Sequence, residues 1–419
     1  MRDLGQAAVA PSATSTKWGV SSSARLTESG DGDVLWLESS LRRTHQVTLT
    51  RRLLSPDNPV LRDSIGSRRA LVVVSPSVNR LYGRHILAYF AAQPAQPSID
   101  LMVLHRAEAS KTLDAAVEVC ERAASTGLHR TSPIVAIGGG VCSDICGLAA
   151  ALHRRGVPHI NVPTTLVGLV DAGIGTKNAV NHGSRKSALG TFHPPEHSIL
   201  DVGFLASLPR RHFANGLAEI IKLAIVCDAE LFGLLAHSGA TLVESRFREP
   251  LPVAERVIRL AATGMLSELS RNLFEIADFR RKVDFGHTFS PYYEVASGHS
   301  ILHGEAVAMD LALSSQLAHE LGLLAGDDLD RILSLIQAVG LDLTWPRTSI
   351  DKLWATLPGI VEHRDGDLHL VVPNGIGSCE YLGIEAISPK LLRHCTDRLV
   401  RRSREVPVSA AGLIDSVRV

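Results

Sequence analysis

Aromatic residues are scarce: Phe, Trp and Tyr make up 5% of the 419 residues. A surface that stacks nucleic-acid bases needs exposed aromatics, so that class of function is disfavoured. Neither charge is in excess, because 43 Lys plus Arg balance 43 Asp plus Glu. No basic stripe is left to serve as the footprint of a nucleic-acid binder. No apolar run approaches the roughly 18 residues of a membrane-spanning helix. The first stretch, "MRDLGQAAVAPSATSTKWGVSSSARLTESGDGD", lacks the hydrophobic centre of a signal peptide and has the composition of a disordered segment. Six cysteines scattered along so long a chain predict reduced thiols in a cytoplasmic protein. Cys142 and Cys146 stand four apart without two further ligands nearby, so they are read as buried packing.

A hydrophobic content of 45% supplies ample core, and the length predicts more than one domain. Residues 1–55 read as a flexible extension, with an early strand possible in the run from "WLESS" to "HQVTLTRRLL". Between 56 and 204, β-branched runs alternate with helical spacing. "RALVVVSPSV", "IDLMVLH", "SPIVAIGGG" and "VPHINVPTT" are strand-like, and "RLYGRHILAYFAAQ" and "TLDAAVEVCERAASTGL" are helical. That alternation predicts a Rossmann-like parallel sheet covered on both faces. From 205 to 395 the strands vanish and helical periods dominate, as in "PRRHFANGLAEIIKLAIVCDAELFGLLAHSG" and "HGEAVAMDLALSSQLAHELGLL". Residues 396–419 read as a peripheral tail. An α/β half joined to a mostly helical half leaves a cleft, the usual place for a small ligand.

Two segments carry ligand chemistry. "AIGGGVCSD" follows a strand and opens a helix, so its free N–H groups could receive a pyrophosphate; a tight strand–helix turn without a ligand has the same pattern. "VPTTLVGLVDAGIGTKNAVNHGSRKSALGTFHPP" is a long polar loop without clear period, rich in groups suited to phosphate or polyol binding. A third pattern concerns metal. Glu219 and Lys222 stand three apart on an otherwise apolar helix, and His287 and His303 each adjoin a glycine. A buried carboxylate with two imidazoles makes a three-ligand site with open positions. A surface Glu219–Lys222 pair with two exposed capping histidines satisfies the same spacing. His299 reads as a turn residue.

The motifs "EASKT", "GGGV-x-x-D", "RRGVPHINVPTTL", "VDAGIGTK", "GLAEIIKLA", "FGHTF" and "LHGEAVA" occur together in the order and approximate spacing of one family. Over residues 70 to 390 the chain resembles the sugar phosphate cyclases of the dehydroquinate synthase superfamily. The resemblance implies NAD and zinc as cofactors, with cobalt an alternative, a small sugar phosphate as substrate, and a homodimer. It implies Glu219, His287 and His303 as metal ligands. Gly139 and Gly140 would face the NAD pyrophosphate, Glu108 and Lys111 the adenosine, and Thr164 and Thr165 the nicotinamide. Asp144, Asp171, Lys177, Lys186 and Lys222 would hold cofactor and substrate hydroxyls, and Arg155 and Arg280 substrate anions.

The departures from the family pattern point to a branch. Asp284 replaces the asparagine of "NFGHTFGHA", Pro291 replaces its second histidine, and Lys186-Ser187 replaces a Lys-Asn pair. Met265 and Leu266 fall where a lysine meets the dehydroquinate synthase substrate's carboxylate. Losing cationic and amide partners disfavours a carboxylate substrate. These changes resemble the valiolone-forming branch, which cyclises sedoheptulose 7-phosphate by transient oxidation, β-elimination of phosphate, reduction and an intramolecular aldol. "GDLHLVVPNGIG" is similar to that branch and offers His369 as a further site residue. Ser75 stands where many relatives have Asp. The nearest rivals are sibling cyclases that form dehydroquinate, the 2-epimer of valiolone or a gadusol-type precursor; a metal-dependent NAD alcohol dehydrogenase of similar two-domain build is a second class, and it would accumulate NADH.

Overall fold

The computed structural model describes residues 2–3, 21–29, 31, 33–93, 97–183, 185–276, 280–298, 300–364 and 366–405. His299 and most of the first 20 residues lie outside this set. Strands β1 (Arg2–Asp3), β2 (Ser21–Glu28) and β3 (Leu35–Arg42) form a small antiparallel sheet. Strand β4 (Gln46–Thr50) leaves it and joins the main sheet, so residues 46–50 belong to the α/β domain and not to an extension.

The main sheet adds β5 (Ala70–Val74), β6 (Ile99–Val103), β7 (Ile134–Gly138), β8 (His159–Pro163) and, beyond a hairpin of β9 (Lys177–His182) and β10 (Arg185–Phe192), β11 (His197–Asp201). Its six strands run parallel in the order β4-β11-β8-β7-β5-β6. Helices α1 (Val60–Ile65), α2 (Pro76–Ala91), α3 (Leu113–Ser125) and α4 (Gly140–Leu152) cover it. Within β5, Ala70, Val72 and Val74 pack in one apolar cluster and Leu71 and Val73 in another. Burial on both faces is why the strand reads as an unbroken β-branched run instead of an alternating one. The chain leaves β5 towards β6 on one side and then crosses to β7 on the other. The crevice at the C-terminal ends of β5 and β7 is therefore the switch point where open α/β sheets receive ligands.

The second half packs α5 (Arg210–Val226), α6 (Ala229–Ser245), α7 (Leu251–Arg271), α8 (Ser290–Ala296), α9 (His303–Glu320), α10 (Gly326–Ala338), α11 (Ile350–Trp354), α12 (Leu357–His363) and α13 (Pro389–Glu405) around one large apolar core. Strands are not absent from it: β12 (Leu370–Gly375) and β13 (Ser378–Leu382) pair as a hairpin. Its two-residue turn, Ile376-Gly377, is short, and only β12 is well buried, so helical period elsewhere masked it. Residues 396–405 are the second half of α13 and not a tail, because Leu392, Cys395 and Leu399 face the core. Among the described residues no helix is long and apolar enough to cross a membrane. All six cysteines are free, with Cys142 and Cys146 buried in α4.

Candidate metal and cofactor site

Helix α5 is buried on every side from Phe213 onward, apart from the half-covered Asn215, and carries Glu219 and Lys222 inside it. A carboxylate there must find a positive charge or a metal. Lys222 Nζ lies 2.6 Å from Glu219 Oε2, and both side chains are almost fully enclosed. The surface salt bridge that the spacing allowed is therefore excluded. His303 opens α9 and places Nε2 3.1 Å from Glu219 Oε1, and His287 Nε2 lies 3.6 Å from the same oxygen. The imidazole rings are 5.3 Å apart.

Glycines on both sides make this convergence possible. Gly286, at φ +76°, turns the chain into His287 where a Cβ would press on Leu311 and Val307. Gly304 lets α9 approach α5, since a Cβ there would overlap the Asn215 carbonyl. One ligand atom from each of Glu219, His287 and His303 lies within 4.8 Å of the others. Tetrahedral zinc with bonds near 2 Å needs ligand atoms about 3.3 Å apart, which these distances approach. Both Nδ1 atoms are already engaged, His287 with the Phe285 carbonyl at 3.0 Å and His303 with Glu294 at 2.9 Å. That leaves both Nε2 atoms for a metal. Both Glu219 oxygens are buried without a hydrogen bond of acceptable geometry among the described residues, as expected of a metal ligand. The donor set fits zinc.

The electrostatics favour the charged carboxylate. Burial opposes ionisation of Glu219, but Lys222 and the two imidazoles outweigh it and hold the group well below the usual range. Burial pushes His287 down to about 4, with Lys222 acting in the same direction, so it stays neutral and able to ligate. His303 is instead raised to about 9 against its burial, because Glu219 and Glu294 both face it. A metal at Nε2 would take the place of that proton.

Asp171 sits on a single π turn, Gly168–Ala172, an irregularity common at functional sites. Burial and Glu219 raise its pKa, while Lys222, His303 and Lys177 oppose this, and its turn packs against α5, the helix that carries Glu219. The long polar loop is thus not aperiodic throughout: it holds this turn and the β9–β10 hairpin. Lys177 opens the hairpin, half exposed, and pairs with Glu275. Burial, with Arg281 nearby, lowers its pKa to about 8. Lys186 Nζ reaches Glu294 Oε2 at 2.7 Å. It is engaged there with a buried carboxylate.

At the switch point, Gly139 caps α4 and Gly140 begins it. A Cβ on Gly139 would come within 3.0 Å of Thr165 Cγ2, whereas one on Gly138 would strike Cys142 of α4. The first crowding marks a close turn at the helix N-terminus and the second tight helix–strand packing, which together fit a pyrophosphate cradle. Thr164 N donates to the Gly138 carbonyl at 2.8 Å, and Thr165 Oγ1 accepts from Gly168 N at 3.2 Å. Lys111 pairs with Asp144, whose pKa burial raises to about 6 despite that lysine. Asn181 Nδ2 bonds the Glu108 carbonyl at 3.0 Å and ties the hairpin to this loop. Ser75 caps α2 through Val78 N at 3.3 Å, so its hydroxyl is spent on the helix.

Two assignments are not brought into this cluster within the chain. Arg155 follows α4 at the end opposite Gly140, about 20 Å away for a helix of thirteen residues, and is exposed. It lies where strands enter the sheet, while the ligand crevice lies where they leave it. Arg280 is exposed, and its neighbour Arg281 is the one turned inward, pairing with Asp284 and Glu275. His369 holds φ +44° before β12 and contacts Asp367 at 3.4 Å. Asp284 is buried between Arg281 and Arg364, the latter at 3.6 Å, and these cations lower its pKa against the cost of burial. Sequence reasoning missed Arg281, Arg364, Glu275 and Glu294.

Models of the 3-dehydroquinate synthase N-terminal and C-terminal regions match residues 101–215 and 216–358. The chain belongs to the 3-dehydroquinate synthase family of sugar phosphate cyclases. It is 44% identical over 325 residues to a 2-epi-5-epi-valiolone synthase of Actinoplanes sp. SE50/110, covering 76% of this chain and 81% of that protein. The solved structure of ValA, a 2-epi-5-epi-valiolone synthase from Streptomyces hygroscopicus subsp. jinggangensis 5008 with NAD+ and Zn2+ bound, matches with a TM-score of 0.82 at 42% identity. That match covers 88% of this chain and all of the other. A 2-deoxy-scyllo-inosose synthase with carbaglucose-6-phosphate, NAD+ and Co2+ shares the fold at 21% identity and a TM-score of 0.70, over 88% of this chain and 99% of that one.

Proposed function

We propose that this enzyme converts sedoheptulose 7-phosphate to 2-epi-5-epi-valiolone with release of phosphate, as a step in C7-cyclitol natural product biosynthesis. It is a phosphate-eliminating carbon–oxygen lyase acting in the cytoplasm with NAD and zinc. The observation that carries the reading is the convergence of Glu219, His287 and His303 beside Lys222 and Asp171, in a chain more than 40% identical to valiolone synthases.

NAD, held at the Gly139–Gly140 turn, would supply the hydride acceptor and donor, and zinc, held by Glu219, His287 and His303, would supply a Lewis acid for a substrate hydroxyl. The chain's own residues hold the charges around that chemistry. Lys222 keeps Glu219 ionised and leaves an ammonium against the ligand side of the cluster. Asp171, half-buried beside it with a raised pKa, is suited to accept a hydrogen bond from a substrate hydroxyl or to exchange a proton with it. Lys177 offers a cation for the phosphate and for the charge that develops as it leaves.

The selection of a substrate without a carboxylate rests on Asp284. Arg281 and Arg364 are committed to its carboxylate and so are not free to bind one on the substrate. Met265 adds a buried apolar side chain where the resemblance expects a lysine.

The homodimer inferred from the family finds support in the β2–β3 hairpin. Leu35, Leu37 and Leu41 alternate on one face of β3, with Leu26 opposite Leu37, and all are exposed. A small antiparallel sheet with a bare apolar face is marginal in water, and a second copy would cover it.

Incubation with sedoheptulose 7-phosphate, NAD and zinc tests the activity. The expected outcome is release of phosphate, a carbocyclic ketone seen by NMR, and no net NADH. Turnover only of the carboxylated heptulosonate 7-phosphate assigns the enzyme to dehydroquinate synthesis instead. Steady accumulation of NADH assigns it to the alcohol dehydrogenases.

A further inference from the structure

Glu294 divides its two oxygens between two elements. Oε1 lies 2.9 Å from His303 Nδ1 and Oε2 lies 2.7 Å from Lys186 Nζ. The carboxylate is buried on α8, His303 opens α9, and Lys186 stands on β10 of the hairpin whose β9 residue Asn181 holds the Glu108 loop. The start of α8 is itself fixed, since Asp310 Oδ2 of α9 accepts hydrogen bonds from Phe289 N at 2.5 Å and Ser290 N at 3.0 Å. Glu294 therefore meets His303 from a helix whose start is held by the helix that carries His303.

An imidazole that ligates through Nε2 must keep its proton on Nδ1, and the acceptor facing Nδ1 decides that tautomer. Lys186 supplies the counter-charge that a buried carboxylate requires. We infer that Glu294 is a positioning residue that holds His303 in its ligating tautomer and, through Lys186, ties the β9–β10 hairpin to the metal centre. The inference rests on the zinc reading of Glu219, His287 and His303.

The test measures zinc affinity by chelator competition, without NAD or substrate, for wild type, Glu294→Gln, Glu294→Ala, Lys186→Met and the Glu294→Gln/Lys186→Met pair. Both Glu294 variants are expected to bind zinc about ten- to a hundredfold more weakly. Lys186→Met is expected to lose severalfold, and the double variant to bind no more weakly than Glu294→Gln alone. The Co2+-substituted Glu294→Gln protein should show shifted visible absorption bands with an unchanged thermal midpoint, a signature that a merely structural role would not give. If Glu294→Ala does not fold, Glu294→Gln carries the test, because it keeps the size of the side chain. Wild-type zinc binding together with unimpaired Glu294→Gln overturns the inference alone. Fully additive losses in the double variant overturn the tie to the hairpin. A wild-type protein that bound no zinc would overturn the metal reading, and this inference with it.

Discussion

Gly304 of α9 lies against the backbone of Asn215 in α5 with no room for a side chain between them. The backbone N–H of Gly304 donates to the Asn215 side chain, and the contact sits one helical turn before Glu219. It sets the separation between His303 and Glu219. Gly304→Ala must push the two helices apart, at a cost of about 1–3 kcal/mol for an overpacked core. The expected result is a lowered thermal midpoint together with weaker zinc binding. Wild-type zinc affinity in a correctly folded Gly304→Ala protein would show that the glycine does not set the metal geometry.

The buried ion pair in α5 makes a second prediction. Removing one partner of such a pair leaves an uncompensated charge, which typically costs about 3–5 kcal/mol. Lys222→Met strands Glu219 in this way. Zinc supplies positive charge to the same carboxylate, so the loss should be large in metal-free protein and much smaller with zinc bound. Denaturant midpoints measured with zinc and with a chelator check this. Equal losses in both states would mean that Lys222 does not compensate Glu219.

These residues also show what the sequence made legible. Glu219 stood out because a charge in an unbroken apolar helix has few explanations, and it lies between Lys222 and the two imidazoles of the candidate metal site. Glu294 gives the same signal, a carboxylate among apolar neighbours in "SPYYEVA", but on a helix too short for its period to separate buried from exposed positions. Arg280 and Arg281 are adjacent in a loop, where nothing periodic tells which turns inward. Arg155 was assigned through motif similarity alone. The element order already placed it after α4 and before β8, at the edge of the sheet away from the ligand crevice.

The edge of the sheet holds buried and half-buried histidines that the proposed chemistry does not use, and they predict acid sensitivity. His45 Nε2 meets Ser198 Oγ at 3.0 Å, and His197 Nε2 meets Thr48 Oγ1 at 2.7 Å. His193 lies between the Val157 carbonyl at 2.9 Å and Arg43 at 3.3 Å, and neither ring nitrogen of His159 has a partner among the described residues. Burial lowers His45 and His197 to about 4 and His159 to about 3, and lowers His193 as well. A histidine depressed in the folded state takes up its proton first in the unfolded chain. Stability is therefore present above the ordinary histidine pKa near 6.5 and is lost as pH falls from there towards 4. Glu196, raised by burial although Arg68 opposes it, acts in the other direction over part of that range. Urea midpoints should fall between pH 7.5 and pH 5, and less steeply in His159→Leu. An equally steep profile in that variant would remove His159 from the account.

The last prediction concerns how the site chooses its substrate. Arg281 bonds Asp284 through two nitrogens, and Arg364 approaches its other side at 3.6 Å. Asp284 is buried and ionised, so it neutralises much of the positive potential that these arginines would otherwise present. Asp284→Asn preserves the size of the side chain but withdraws the charge, which releases cationic hydrogen-bonding capacity into the site. A substrate analogue bearing a carboxylate gains from that release, since charge-assisted bonds to arginine are the stronger kind. Heptulosonate 7-phosphate should therefore inhibit Asp284→Asn at least about tenfold more tightly than the wild type, the equivalent of roughly 1.4 kcal/mol. Sedoheptulose 7-phosphate, which has no carboxylate, should show little change in KM. Inhibition constants measured side by side decide the matter: equal values for the two proteins would mean that the exclusion of carboxylates lies elsewhere, with the apolar Met265 the next position to change.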